Sequence, residues 1–94
     1  MLKRISILVK HFASVREITN LNEEKLNLRC DSIIQEALEE LIRIHGVKLS
    51  EYLMDKKGDL KVGLRILVNG EIVTLRTRLN NNDVLVIVPP VGGG

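Results

Sequence analysis

The sequence predicts an α+β domain: a mixed sheet of four to five strands with one main helix packed on one face. Three observations lead there. Short strand-like stretches lie near both ends of the chain, at residues 3–10 and 84–88. A single strongly amphipathic stretch, residues 31–46, lies between them. An Asn-Gly pair divides a strand-like run in "LRILVNGEIV". Strands grouped on either side of one helix favour α+β over an alternating parallel architecture.

In "KRISILVK", residues 3–10, Ile5, Ile7 and Val9 share one face and Ser6 and Leu8 the other. "EKLNLR", residues 24–29, alternates again, and the turn-like "ITNLN" before it makes the two a hairpin with a long loop. In "DSIIQEALEELIRIHG" the residues Ile34, Ala37, Leu38, Leu41 and Ile42 recur at helical spacing. Ser32 followed by Gln35 fits a capping box, and Gly46 is placed to stop the helix in a positive-φ conformation. "LSEYLM", residues 49–54, reads as one more helical turn. Asn69-Gly70 favours the two-residue type I′ hairpin turn, and the asparagines of "LNNND" suit a further turn before the last strand. The first and last strands are both rich in apolar residues, so both are expected to be central, neighbouring and parallel.

Composition narrows the function. The 94 residues make one domain with one small core, expected over residues 1–88, with 89–94 as an extended tail. With Phe12 and Tyr52 its only aromatics besides histidine, that core is aliphatic. A net charge of +2, with basic residues scattered among acids, does not make a nucleic-acid surface. One cysteine, Cys30, allows no internal disulfide and suits a reducing compartment. The apolar run "ISILV" is too short for a leader or a membrane span, so a cytoplasmic location is expected.

Two features point to a partner. If Leu85 and Ile87 face the helix, then Val84, Val86 and Val88 face away, joined by Leu8 and Leu67. One helix cannot cover both faces, and an apolar patch of this kind is uncommon on a monomer. A homodimer or an overlying loop is the plainer explanation; a docking surface for another protein is the functional one. The second feature is "PPVGGG". Pro89 and Pro90 donate no ladder hydrogen bonds and leave the sheet stiff and extended. Val91, Gly92, Gly93 and Gly94 follow. Glycines without a Cβ make a thin strand that fits a narrow tunnel and leaves the Gly94 carboxylate open to attack. On an arbitrary domain such a tail reads as a frayed end. Here it abuts the last strand directly.

No other chemistry is expected. His11 and His45 are far apart in sequence, and one cysteine without a C-x-x-C motif gives no zinc site, so no metal set is assigned. Cys30 reads as an idle thiol, and Glu36, Glu39 and Glu40 as a solvated helix face. "VGGG" has no helix after it and no Lys-Ser/Thr, so it is not a phosphate loop.

The stretches "FASVRE", "LVNGEIV" and "NNDVLVIVPPVGGG", in their β-β-α-β-β-β order, resemble a MoaD-type protein, the small sulfur-carrying subunit of molybdopterin synthase, over the whole chain. The family's frequent Gly-Asp before the last strand is Asn82-Asp83 here. The resemblance implies a ubiquitin-like β-grasp fold. It implies that an E1-like enzyme adenylates Gly94 with ATP and magnesium, that a sulfur donor converts the adenylate to a thiocarboxylate, and that the tail enters the large synthase subunit. The chain would then be a carrier without catalytic groups or a bound cofactor. Val91, Gly92 and Gly93 would lie in the partner's tunnel, with Leu8, Phe12, Leu67, Val86, Val88, Pro89 and Pro90 at the partner surface. Three alternatives stand beside it: a ubiquitin-like modifier joined through Gly94 to target lysines, a sulfur carrier for thiamine or tRNA thiolation, and an interaction domain that is never activated.

Overall fold

The computed structural model describes residues 3–90. In chain order its elements are β1 (Arg4–Lys10), α1 (Ala13–Thr19), β2 (Glu23–Arg29), α2 (Ile34–His45), α3 (Val47–Leu53), β3 (Arg65–Val68), β4 (Glu71–Val73) and β5 (Val84–Val88). The strands form one sheet in the order β2-β1-β5-β3-β4. β1 and β5 run parallel near its centre, as their apolar character requires, and every other pair is antiparallel.

The inward face follows the alternation. Ile7 and Val9 of β1, Leu26 and Leu28 of β2, Ile66 and Val68 of β3, and Leu85 and Ile87 of β5 are all buried. Against them α2 lays Ile34, Ala37, Leu38 and Leu41, each fully buried. Burying a leucine or isoleucine of this kind contributes roughly 1.5–3 kcal/mol before conformational entropy is counted.

Three expectations are corrected. First, the link between β1 and β2 is not a plain loop: Val15 and Thr19 bury one side of α1, and Asn20 ends it in the left-handed region at φ 62°. A seven-residue helix carries too little periodicity to stand out from turn signals. Second, residues 47–53 form a full helix, α3, whose Leu49 and Leu53 are buried one turn apart. Third, the Ser32–Gln35 capping box does not form, and only the half in which the N3 side chain reaches back is made, one residue later. Ile33 is the N-cap, and its N–H donates to Glu36 Oε1 at 3.0 Å. Ser32 instead donates its hydroxyl to the Arg29 carbonyl, and Gln35 gives its backbone N–H to the Leu75 carbonyl. Backbone bonds to the 75–79 segment thus take over donors that a serine cap would have served. Gly46 does end α2 with positive φ, at 89°, its N–H reaching the Ile42 carbonyl.

The hairpin turn has positive φ at both Asn69 (52°) and Gly70 (85°), the requirement of type I′. The Asn69 side chain also ties this turn to the next: its Nδ2 donates to Asp83 Oδ1 at 2.9 Å and its Oδ1 accepts from the Val84 N–H at 3.0 Å. Asp83 Oδ2 accepts from the Asn80 N–H at 2.7 Å. Asn82 sits at φ 70°, the conformation a glycine would otherwise supply.

Candidate functional site

The sheet face opposite the helices is apolar across its middle. Paired positions form rows: Lys25, Leu8 and Val84, then Glu23, Lys10, Val86, Leu67 and Ile72, then Arg65 and Val88. Leu8, Leu67, Val84, Val86 and Val88 are half-buried by their neighbours alone, and Ile72 is 64% exposed. Lys10, Lys25 and Arg65 are exposed around this patch, and none of them forms an ion pair among the described residues. The surface is an apolar centre edged by Lys10, Lys25 and Arg65 and by one acid, Glu23, opposite Lys10, which suits a protein partner whose matching face is apolar with polar, mainly acidic edges.

The structure therefore gathers Leu8, Leu67, Val86 and Val88 on one face. Phe12 lies just past the end of β1, 48% exposed, as the N-cap of α1. Because β1 and β5 are parallel, Phe12 and the Pro89–Pro90 step leave the sheet at the same end. Ile72 was not singled out from sequence. The two-residue turn signalled it, since pairing across Asn69-Gly70 places residue 72 opposite Leu67.

Pro89 and Pro90 are half-buried. The last β3–β5 pair is Arg65 with Val88, so pairing ends where the prolines begin. Pro90 then forms one wall of a small cavity of about 210 Å³, with Tyr52, Lys61, Val62 and Leu64 as the others. Gly63 approaches it closely: a Cβ there would stand 3.0 Å from Pro90 Cβ. The segment after α3 is held as a compact turn, with Asp55 Oδ1 accepting from the N–H groups of Lys57 and Asp59 and with Lys61 N–H bonded to the Leu53 carbonyl. This 49–63 stretch, without a role in the sequence reading, buttresses the root of the tail. Val91, Gly92, Gly93 and Gly94 lie outside the described residues.

At the same end of the molecule, beneath the helices, His11 and His45 both meet Glu24, at 2.6 Å each. Their separation along the chain concealed this. Cys30 is exposed beyond β2 and belongs to no cluster of three metal-ligating side chains among the described residues.

A mixed five-stranded sheet clasping a helix, with two parallel central strands, defines the ubiquitin-like β-grasp class of small carriers and modifiers. The chain belongs to the ThiS family, whose model matches residues 9–94. It is 29% identical over 85 residues to small archaeal modifier protein 1 of Haloferax volcanii, covering 90% of this chain and 97% of that protein. A crystal structure of the same Haloferax protein superposes with a TM-score of 0.86 at 28% identity, covering 95% of this chain and 99% of the other. A Pyrococcus furiosus protein assigned as molybdopterin converting factor subunit 1 gives 0.77 at 27% identity over 93% and 99% of the two chains. Urm1 of Sulfolobus solfataricus gives 0.64 at 28% identity over 87% and 97%. No helix among the described residues is long and apolar enough to cross a membrane.

Proposed function

We propose that this protein is a sulfur carrier for molybdopterin synthesis. An E1-like enzyme uses ATP and magnesium to adenylate the Gly94 carboxylate, because a carboxylate is a poor electrophile until it has a leaving group. A sulfur donor displaces AMP to give the thiocarboxylate, and the large subunit of molybdopterin synthase receives the tail and passes sulfur to the pterin precursor. The chain supplies the acyl group, the thin tail and the docking face; the partners supply acid-base and phosphate-binding groups. The observation that carries this reading is the continuity of the central strand β5 with the braced Pro89–Pro90 step, which leaves the sheet beside an apolar face immediately before the Val-Gly-Gly-Gly sequence. Likeness to the Pyrococcus converting-factor subunit supports the pterin acceptor.

A second reading is favoured by a specific observation: the Haloferax relative that matches 90% of this chain is called a modifier. There the activated Gly94 would be joined to a lysine amine of a target protein. Both outcomes share the adenylation step.

Intact-mass analysis separates them. The protein with ATP, magnesium, its E1-like enzyme and a sulfur source gains the mass of one oxygen-for-sulfur exchange, and deletion of Gly94 abolishes the gain. Failure to form either adenylate or thiocarboxylate overturns activation. A Gly-Gly remnant on lysines of cellular proteins, without a thiocarboxylate, favours the modifier.

A further inference from the structure

Three inward-facing stripes of the core end in side chains that bind metals. On β1 the stripe Ile7, Val9 continues to His11; on β2 the stripe Leu28, Leu26 continues to Glu24; on α2, Leu38 and Leu41 are followed one turn on by His45. The antiparallel pairing of β1 with β2 brings the first two together, and the C-terminal turn of α2 delivers the third. His11 Nε2 and His45 Nε2 each lie 2.6 Å from the same oxygen, Glu24 Oε2, and all three atoms lie within 4.8 Å of one another. The His11 side chain is fully buried, while those of Glu24 and His45 are 13% and 11% exposed.

A core end that served packing alone would be closed by apolar groups, since imidazoles and a carboxylate lose hydration there. We propose that His11 Nε2, Glu24 Oε2 and His45 Nε2 form a binding site for a divalent transition-metal ion, with zinc the best chemical match. Two imidazole nitrogens and one carboxylate oxygen are a donor set that zinc accepts, whereas calcium and magnesium prefer all-oxygen shells. Bonds of about 2.0–2.1 Å at tetrahedral angles hold donors roughly 3.3 Å apart. The two 2.6 Å contacts therefore open by less than about 1 Å to admit the ion, a change within reach of side-chain rotation. The backbone that carries the donors is set by strand pairing (Lys10 opposite Glu23, Val9 opposite Glu24) and by α2, so the site is largely organised beforehand.

Each imidazole presents its Nε2 lone pair to the ion and carries its proton on Nδ1. Among the described residues Nδ1 of His11 is buried with no hydrogen-bond partner, so His11 is the weaker anchor and Glu24 with His45 the stronger. The fourth coordination position opens on the partly exposed Glu24–His45 side and takes water. The bound ion clamps the end of α2 to the ends of β1 and β2, at the end of the sheet from which the tail departs.

The test uses the full chain carrying Cys30→Ser, which removes the exposed thiol, treated with a chelator and dialysed. Calorimetric titration with zinc chloride shows one equivalent bound per chain, and cobalt(II) gives the intense visible absorption of a four-coordinate site. His45→Ala and Glu24→Gln, placed at the two partly exposed donors, weaken binding at least tenfold and remove the zinc-dependent rise in melting temperature. Deleting Gly94 leaves binding unchanged. As a readout independent of variant folding, long-range proton–nitrogen spectra of the Cys30→Ser protein show the Nε2 resonances of both histidines shifting on zinc addition. Absence of stoichiometric binding, equal binding by both variants, or unmoved Nε2 resonances each overturns the proposal and leaves the cluster a hydrogen-bonded clasp.

Discussion

Gly63 sits at φ 92°, and a Cβ built on it would stand 3.0 Å from Pro90 Cβ and 3.2 Å from Pro90 Cγ. The glycine answers two demands at once, a left-handed backbone and a close approach to the proline at which the tail begins. Gly63→Ala costs about 1–2 kcal/mol for the backbone conformation alone. Gly58 is the control: its φ is 84°, yet nothing lies within 4 Å of its Cβ position. Urea denaturation should show Gly63→Ala losing more stability than Gly58→Ala, and only Gly63→Ala should shift the NMR signals of Val88 and Pro90.

The outer sheet face is expected to bind rather than to stabilise. Leu67 and Val88 are half-buried there, so an aspartate at either site keeps water in the free protein. Against a partner, the carboxylate at position 67 is desolvated without a counter-charge, whereas one at position 88 has Arg65 opposite it but still loses its hydration. Leu67→Asp or Val88→Asp should retain the circular dichroism of the parent. Either should weaken binding to the E1-like enzyme or the synthase subunit by at least about tenfold, or 1.4 kcal/mol. Unchanged affinity in calorimetry would place the interface elsewhere.

Leu38 has no exposed surface and packs from α2 onto the sheet. Leu38→Ala leaves a cavity that the surrounding strands cannot close, at a cost of about 2–5 kcal/mol. The check is the denaturation midpoint at unchanged m-value.

Asp83 is buried and accepts from the Asn69 amide and the Asn80 N–H. Asp83→Ala leaves both donors without that partner; Asn69 and Asn80 are exposed, so water takes its place and the loss is that of the net hydrogen bonds, about 0.5–1.5 kcal/mol each. Hydrogen exchange should rise first at Asn80 and around the Asn69-Gly70 turn, because these are the groups the carboxylate joins.

Glu40 accepts two hydrogen bonds from Arg43, both at 2.8 Å, and that contact holds its carboxyl below the ordinary value of 4.5. The folded state thus favours the ionised form. Its stabilising contribution is complete above about pH 4.5 and is lost as pH falls through the lower folded-state value. Because the pair is exposed the effect is small. Glu40→Gln should be slightly less stable than the parent at pH 7, and the difference should shrink as pH falls below 4.5 when the two are compared by chemical denaturation.

Much of the fold was legible in the chain because its causes are local. Alternation in residues 4–10 marked the faces of β1, the continuous apolar run 84–88 marked a central strand with an apolar outer face, Asn69-Gly70 marked the hairpin, and the spacing of Ile34, Leu38 and Leu41 marked α2. The excess of apolar side chains over what one helix can cover marked an exposed face. The short α1 escaped notice because a few helical residues at a loop look like a turn, and the cap of α2 moved because the 75–79 segment offers its own backbone acceptors.

What the sequence determined by itself was which side chains of β1, β2, β3, β5 and α2 face inward and, within a few residues, where those elements lie; α1 and the full length of α3 were not legible in it. Only the tertiary structure decided that His11, Glu24 and His45 meet, and that Gly63 stands against Pro90. Periodicity is a property of neighbours a few residues apart, whereas these meetings depend on how separate elements cross. That crossing is set by the packing of the whole core.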